Sequence, residues 1–162
     1  MSIRTGGLAA LVLALAGVGY ADDKVEAKGA KIDYDVHTGH FQKNNAGLKG
    51  DASFLAFTDR AGFDKVFGVG ATMKKQNFVP KDTFDKKLVV AVIHRGKAPW
   101  TYKVEKVTAD GDTLYVQYEA TAGKEGTATY ASPLIVSVDK GKYTSVVFIE
   151  NGKKAGTADF PK

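Results

Sequence analysis

The chain has no cysteine, four prolines, three histidines and one tryptophan among its 162 residues. Without cysteine it can form no disulfide framework, thiol nucleophile, zinc ribbon or cysteine-linked lipid anchor. A hydrolytic triad needs a nucleophile, an imidazole and an orienting acid. The imidazoles are limited to His37, His40 and His94, and no Gly-x-Ser-x-Gly elbow occurs. Ser53, Ser132, Ser137 and Ser145 lie in strand-like or turn contexts. Gly68 and Gly70 follow a helix signal and lack the third glycine of a dinucleotide fingerprint. The expectation is therefore a protein that is not an enzyme and carries no cofactor. No run of five like charges appears, and the pairs Lys74-Lys75 and Lys86-Lys87 are interleaved with acids or apolar residues, so nucleic acid is not an expected partner.

What is present is 44% hydrophobic and 25% charged, with a net charge of +5, as in one ordinary folded domain. Residues 1–21, MSIRTGGLAALVLALAGVGYA, place Arg4 before an apolar core over 8–18 and end on the small residues Gly19 and Ala21. That order predicts a secretory signal cut before Asp22. Its core is shorter than the roughly 20 apolar residues of a membrane span, so no stable span is expected after cleavage. Cleavage removes Arg4 and no acid, which leaves 22 basic and 18 acidic side chains, a mild preference for anionic surfaces. The expected location is periplasmic or secreted. Residues 22–162 are expected to form a single β-rich domain held together by core burial.

The spacing within 22–162 predicts an α+β, strand-dominated fold: an antiparallel meander of about seven strands with one early helix. Ile32, Tyr34 and Val36 alternate with Asp33, Asp35 and His37, the period of a half-buried strand. Residues 53–57 form a short apolar strand. Thr58 and Asp59 are helix caps ahead of Phe63, Val66 and Phe67, with Gly68 as a stop, which predicts a helix over 59–67. Residues 70–87 read as irregular. The continuous apolar run 88–93 is that of a central strand with both faces covered, and it should be the most buried segment. Strands over 102–108 and 113–121 flank a glycine-bearing turn at 109–112. Leu114, Val116, Tyr118 and Ala120 share one face of their strand, as do Leu134, Val136 and Val138 of the next. A turn at 139–142 leads into a strand over 144–150, and Asn151-Gly152 turns the chain into a short final segment.

Two segments are candidates for function. Loop 95–102 holds Arg95, Pro99, Trp100 and Tyr102 between two strands. Trp, Tyr and Arg are enriched at binding hot spots, and loops between rigid strands carry recognition surfaces; these four residues are the expected partner-binding set. Trp100 could equally fold back to cap the sheet. The alternative is a periplasmic small-ligand or metal binder using Asp33, Asp35, His37 and His40. A regular strand points the first three to one side, and a bulge at Thr38-Gly39 would bring His40 round to join them. Alternating Asp and His also mark the solvated face of an edge strand, where charge blocks edge-to-edge pairing. No metal site is expected on that balance.

Residues 84–102, FDKKLVVAVIHRGKAPWTY, followed by Val104-Glu105-Lys106-Val107 and Asp110-Gly111-Asp112-Thr113-Leu114-Tyr115-Val116, resemble the PrcB-like family of exported proteins, named for a protease-complex subunit. The strand Phe54-Leu55-Ala56-Phe57 and the helix Phe63-Asp64-Lys65-Val66-Phe67 resemble the lead-in of such proteins. Where that family carries Thr-Gly-Gly-Tyr after its loop proline, this chain has Trp100-Thr101-Tyr102 after Pro99. The resemblance implies a non-enzymatic exported β-rich domain that docks on another exported protein such as a protease.

Overall fold

The computed structural model describes residues 24–71 and 75–162. The signal expected over 1–21 lies outside the described residues. In chain order these form β1 (Ala30–Lys31), β2 (Tyr34–His37), β3 (His40–Gln42), β4 (Ala52–Phe57), α1 (Arg60–Val66), β5 (Phe67–Val69) and α2 (Thr83–Lys86). The second half is all strand: β6 (Lys87–Gly96), β7 (Trp100–Asp110), β8 (Thr113–Ala122), β9 (Tyr130–Asp139), β10 (Ser145–Glu150) and β11 (Lys153–Asp159). The fold is strand-dominated α+β, as the patterning predicts.

A strand that is apolar on both faces must be covered twice, and β6 organises the molecule for that reason. Leu88, Val90 and Val92 face one side and Val89, Ala91 and Ile93 the other, and all six are buried. β6 pairs antiparallel with β9 and β4, and β2 extends the sheet beyond β9, giving the order β2-β9-β6-β4. The second sheet runs β1-β7-β8-β10-β11. Between the sheets, Leu134, Val136 and Val138 of β9 meet Leu114, Val116 and Tyr118 of β8 and Phe148 of β10. Along one edge Phe54 of β4 packs on Phe148 with ring centroids 5.3 Å apart. It also lies over Gly156 of β11, where a Cβ would fall 2.3 Å from its ring.

The connectivity differs from a simple meander. The hairpins turn where expected, at Gly111 (φ +61°) and at Asn151 (φ 50°) with Gly152 (φ 79°), the positive angles that tight hairpins require. Between them, however, the chain crosses to the other sheet for β9 and returns, so that β10 lies parallel to β8. The physical reason is burial. Residues 134–138 are buried on both faces, and the place that buries both faces of a strand is beside β6.

The outer face of the four-stranded sheet is covered by short pieces. Phe57, Phe63, Phe67, Val79 and Phe84 lie over Val89, Ala91, Ile93 and Ile135. Helix α1 is capped as predicted, the Asp59 carboxylate accepting from the Gly62 amide at 2.8 Å. It ends one residue before the expected Phe67, whose extended backbone (φ −110°, ψ 141°) begins β5. The segment read as irregular, 70–87, contains the single turn α2. Gly39 (φ +82°), two residues after β2, breaks the pairing with β9, so that β3 pairs instead with β5 as a two-stranded flap. Among the described residues no helix is long and apolar enough to cross a membrane.

Candidate functional site

The segment read as a loop over 95–102 is mostly strand: Arg95 lies at the end of β6, Trp100 and Tyr102 begin β7, and the connection is only residues 97–99. The Arg95 guanidinium is spent internally. Nε donates to Gln42 Oε1 at 2.7 Å, and the terminal nitrogens donate to Ser53 Oγ at 2.9 Å and the Gly50 carbonyl at 3.1 Å. It thus ties β3, β4 and the loop between them to β6. Pro99 accepts from the Gly123 amide at 2.7 Å, and the Trp100 amide donates to Ser132 Oγ at 3.0 Å. The half-buried indole of Trp100 stacks on His94, ring centroids 4.4 Å apart and 22° between planes. The Tyr102 hydroxyl points inward and donates to the Ser132 carbonyl at 2.7 Å. The four residues expected to bind a partner therefore sit at one end of the fold, with their polar groups largely turned into it.

Beneath Trp100 is a polar cluster that the sequence does not announce. His94 Nδ1 lies 2.9 Å from the Tyr102 hydroxyl, and Nε2 lies 3.1 Å from Glu150 Oε2. The Tyr118 hydroxyl donates to the same carboxylate oxygen at 2.9 Å. Burial pushes the Glu150 carboxyl upward, but the bonds from His94 and Tyr118 outweigh it and hold the group below the usual carboxylate range. Burial pushes both tyrosine hydroxyls well above their ordinary value. With the Ser132 carbonyl included, the cluster braces β6 and β9 of one sheet to β7, β8 and β10 of the other. His94 ends the apolar run of β6 and Glu150 precedes the Asn-Gly turn. Nothing local signals that they meet.

The Asp/His segment is dispersed by its hydrogen bonds. The Asp35 carboxylate is held 2.6 Å from Lys87 Nζ, which keeps its carboxyl below the usual range. Asp35 and His37 do share a face, and His37 Nε2 lies 2.8 Å from Ser137 Oγ. Ser137 is buried, at the base of a cleft of about 190 Å³ that Asp35, His37, Pro80 and Asp82 also line. His40 has both ring nitrogens engaged by backbone. Nδ1 lies 3.3 Å from the Gly68 carbonyl, and Nε2 accepts from the Val79 amide at 3.0 Å. An amide donor at Nε2 requires the neutral ring with its proton on Nδ1. Among the described residues no group of three or more His, Asp or Glu side chains is arranged to hold a metal ion.

What the structure assembles around His40 instead is an apolar groove of about 530 Å³ between the β3–β5 flap, α1 and the segment through Val79. The His40 ring stands edge-on to Phe63 at 5.2 Å and to Phe78 at 5.6 Å. Phe67, Phe78, Val79 and the side chain of Val69 line the groove. Val69 is 62% exposed and Phe78 36%. At the rim, Arg60 pairs with Asp64 at 3.5 Å and donates to the Val79 and Pro80 carbonyls, while Lys81 is exposed. On the other face of the flap, exposed Phe41 lies across Gly68, its cross-strand partner, where a Cβ would fall 2.6 Å from the ring. Small size, apolar lining and a few fixed polar groups are the features of a recognition groove. Sequence reading misses it because its walls lie 20–40 residues apart, on two three-residue strands, a short helix and an irregular segment. No protein-family model matches the chain, and neither a curated protein nor a solved structure matches it.

Proposed function

We propose that this chain is an exported, non-enzymatic binding module that receives an extended segment of another exported protein in the groove beside His40. The segment it fits carries a large apolar side chain next to acidic residues. The observation that carries this reading is the exposure of Val69 and Phe78 together over an aromatic floor; contiguous exposed apolar surface rimmed by polar residues marks interaction sites. The charge of the partner follows from Lys81 at the rim and the basic balance of the whole chain. The resemblance of 84–116 to PrcB-like exported proteins supports the same class of activity. The residue types of 95–102 favour a different surface, whose cationic side chain at Arg95 is already occupied.

Selection from a random peptide library tests both. The expected winners combine an aromatic or large aliphatic residue with adjacent Asp or Glu. Val69→Asp or Phe78→Ser should weaken their binding by about 1–3 kcal/mol, the range for hot-spot side chains, and Trp100→Ala should leave it unchanged. Loss of binding in Trp100→Ala with Phe78→Ser unaffected would return the site to the loop. Selection of no such sequence would end the groove reading.

A further inference from the structure

His40 lines the groove together with the charged Arg60, Asp64 and Lys81, and its protonation state is dictated by geometry. Nε2 accepts a backbone N–H from Val79, so a proton arriving at Nε2 would face that N–H and break the bond. One neighbouring anchor also titrates, the His37 ring beside the Asn77 and Phe78 backbone; the others do not. On one side the Thr38 amide donates to the Asn77 carbonyl at 2.8 Å, and Asn77 Nδ2 donates to the Val36 carbonyl at 2.6 Å. On the other side Arg60 holds the Val79 and Pro80 carbonyls. Phe78 and Val79 are therefore a short span fixed at both ends, and His40 supplies its middle fastening.

We propose that His40 is an acid-sensitive latch on the groove: neutral, it keeps Phe78 and Val79 in place as the wall; protonated at Nε2, it releases them and the wall opens locally. The consequence for partner capture rests on the reading of the groove as the docking site, but the latch itself does not.

The charged and titratable groups around His40 are His37 from β2, Arg60 and Asp64 from α1, and Lys81 at the rim. Burial among the phenylalanines is the largest influence and lowers the affinity of His40 for a proton; the charges of His37 and Arg60 act in the same direction, and the Gly68 carbonyl and Asp64 oppose them. The closed wall therefore binds the proton less well than the open one. Acid shifts the balance toward opening, beginning near the ordinary histidine value of about 6.5 and continuing down to the lower value of the closed state. Above about 6.5 the latch is fully closed.

Amide hydrogen exchange read by NMR between pH 7.5 and 5.0, with the His37 and His40 rings followed in parallel, tests the latch without any ligand. Protection factors, corrected for the intrinsic effect of pH, should fall at Val79 by up to about tenfold per pH unit below about 6.5, in step with His40. Val90 and Val92 should keep theirs. His40→Gln, whose side-chain oxygen can accept but does not titrate, should leave Val79 protection independent of pH. Constant Val79 protection in the unaltered protein would overturn the proposal. So would a fall shared with Val90 and Val92, or one that follows His37. Because no peptide is present, these outcomes stand apart from success or failure of the docking reading.

Discussion

The four-stranded sheet has two faces built from the same strands and covered by different materials. Its inner face meets a second sheet, and alternating aliphatic residues from strands of six to eleven residues close it. Its outer face meets one short helix, one helical turn and a two-stranded flap, and the cover is mainly phenylalanine. On the inner side, ladder hydrogen bonds hold the backbone. On the outer side a three-residue ladder and a few backbone bonds are supplemented by single side chains: Arg95 across to Ser53 and Gln42, Arg60 to the Val79 and Pro80 carbonyls, His40 to Gly68 and Val79. Sheet ladders open cooperatively, whereas a segment fastened by isolated side chains can open alone. The contrast explains why the groove lies on the outer side, and why the polar brace around Glu150 lies between the sheets, where nothing is asked to move.

The largest expected effect is on the inner face. Val90→Asp should abolish folding, since a buried carboxylate with no partner costs several kcal/mol; loss of the cooperative transition in denaturant would show it. Phe63→Ala, on the outer face, should cost about 3–5 kcal/mol, as for a large aromatic removed from a closed core, and should loosen the outer layer first. Retained strand circular dichroism with lost protection at Phe67 and Val79 is the expected pattern; uniform loss of protection would mean that the two layers open as one.

Glu150→Gln should destabilise by about 1.5–3 kcal/mol at neutral pH, the range for hydrogen bonds to a charged group. The folded carboxyl sits below its unfolded value, so its contribution is fully present above about pH 4.3 and fades as pH falls through the lower, folded value. Denaturant curves of the two proteins should therefore converge in acid. A gap that persisted there would show that Glu150 acts by packing. Asp35→Asn should change stability by less than about 1 kcal/mol, because its pair with Lys87 is solvent-exposed.

The two layers also differ in how far they could be read from sequence. β8 and β9 place Leu114, Val116, Tyr118, Leu134, Val136 and Val138 by alternation, β6 declares itself by a continuous apolar run, and Gly111 and Asn151-Gly152 mark the β7–β8 and β10–β11 turns by the backbone angles those positions need. The cap at Asp59 is equally local. β3 and β5 have three residues each, too few for a period to show. The sheet to which β9 belongs is decided by burial on both faces, a global requirement. Arg95 reads as a free cation because Gln42 and Ser53, which occupy it, are more than 40 residues away. His40 enters only the alternative small-ligand or metal reading for the same reason: the groups it meets, Gly68 and Val79, are 28 and 39 residues distant.

The most direct test of the central claim uses the single tryptophan. An NMR titration with a selected acidic–aromatic peptide reads the amides of Val69, Phe78 and Val79 together with the one indole N–H, that of Trp100. The account predicts saturable shifts at the three groove amides and none at the indole. Shifts confined to the indole and to the amides of 95–102 would contradict it.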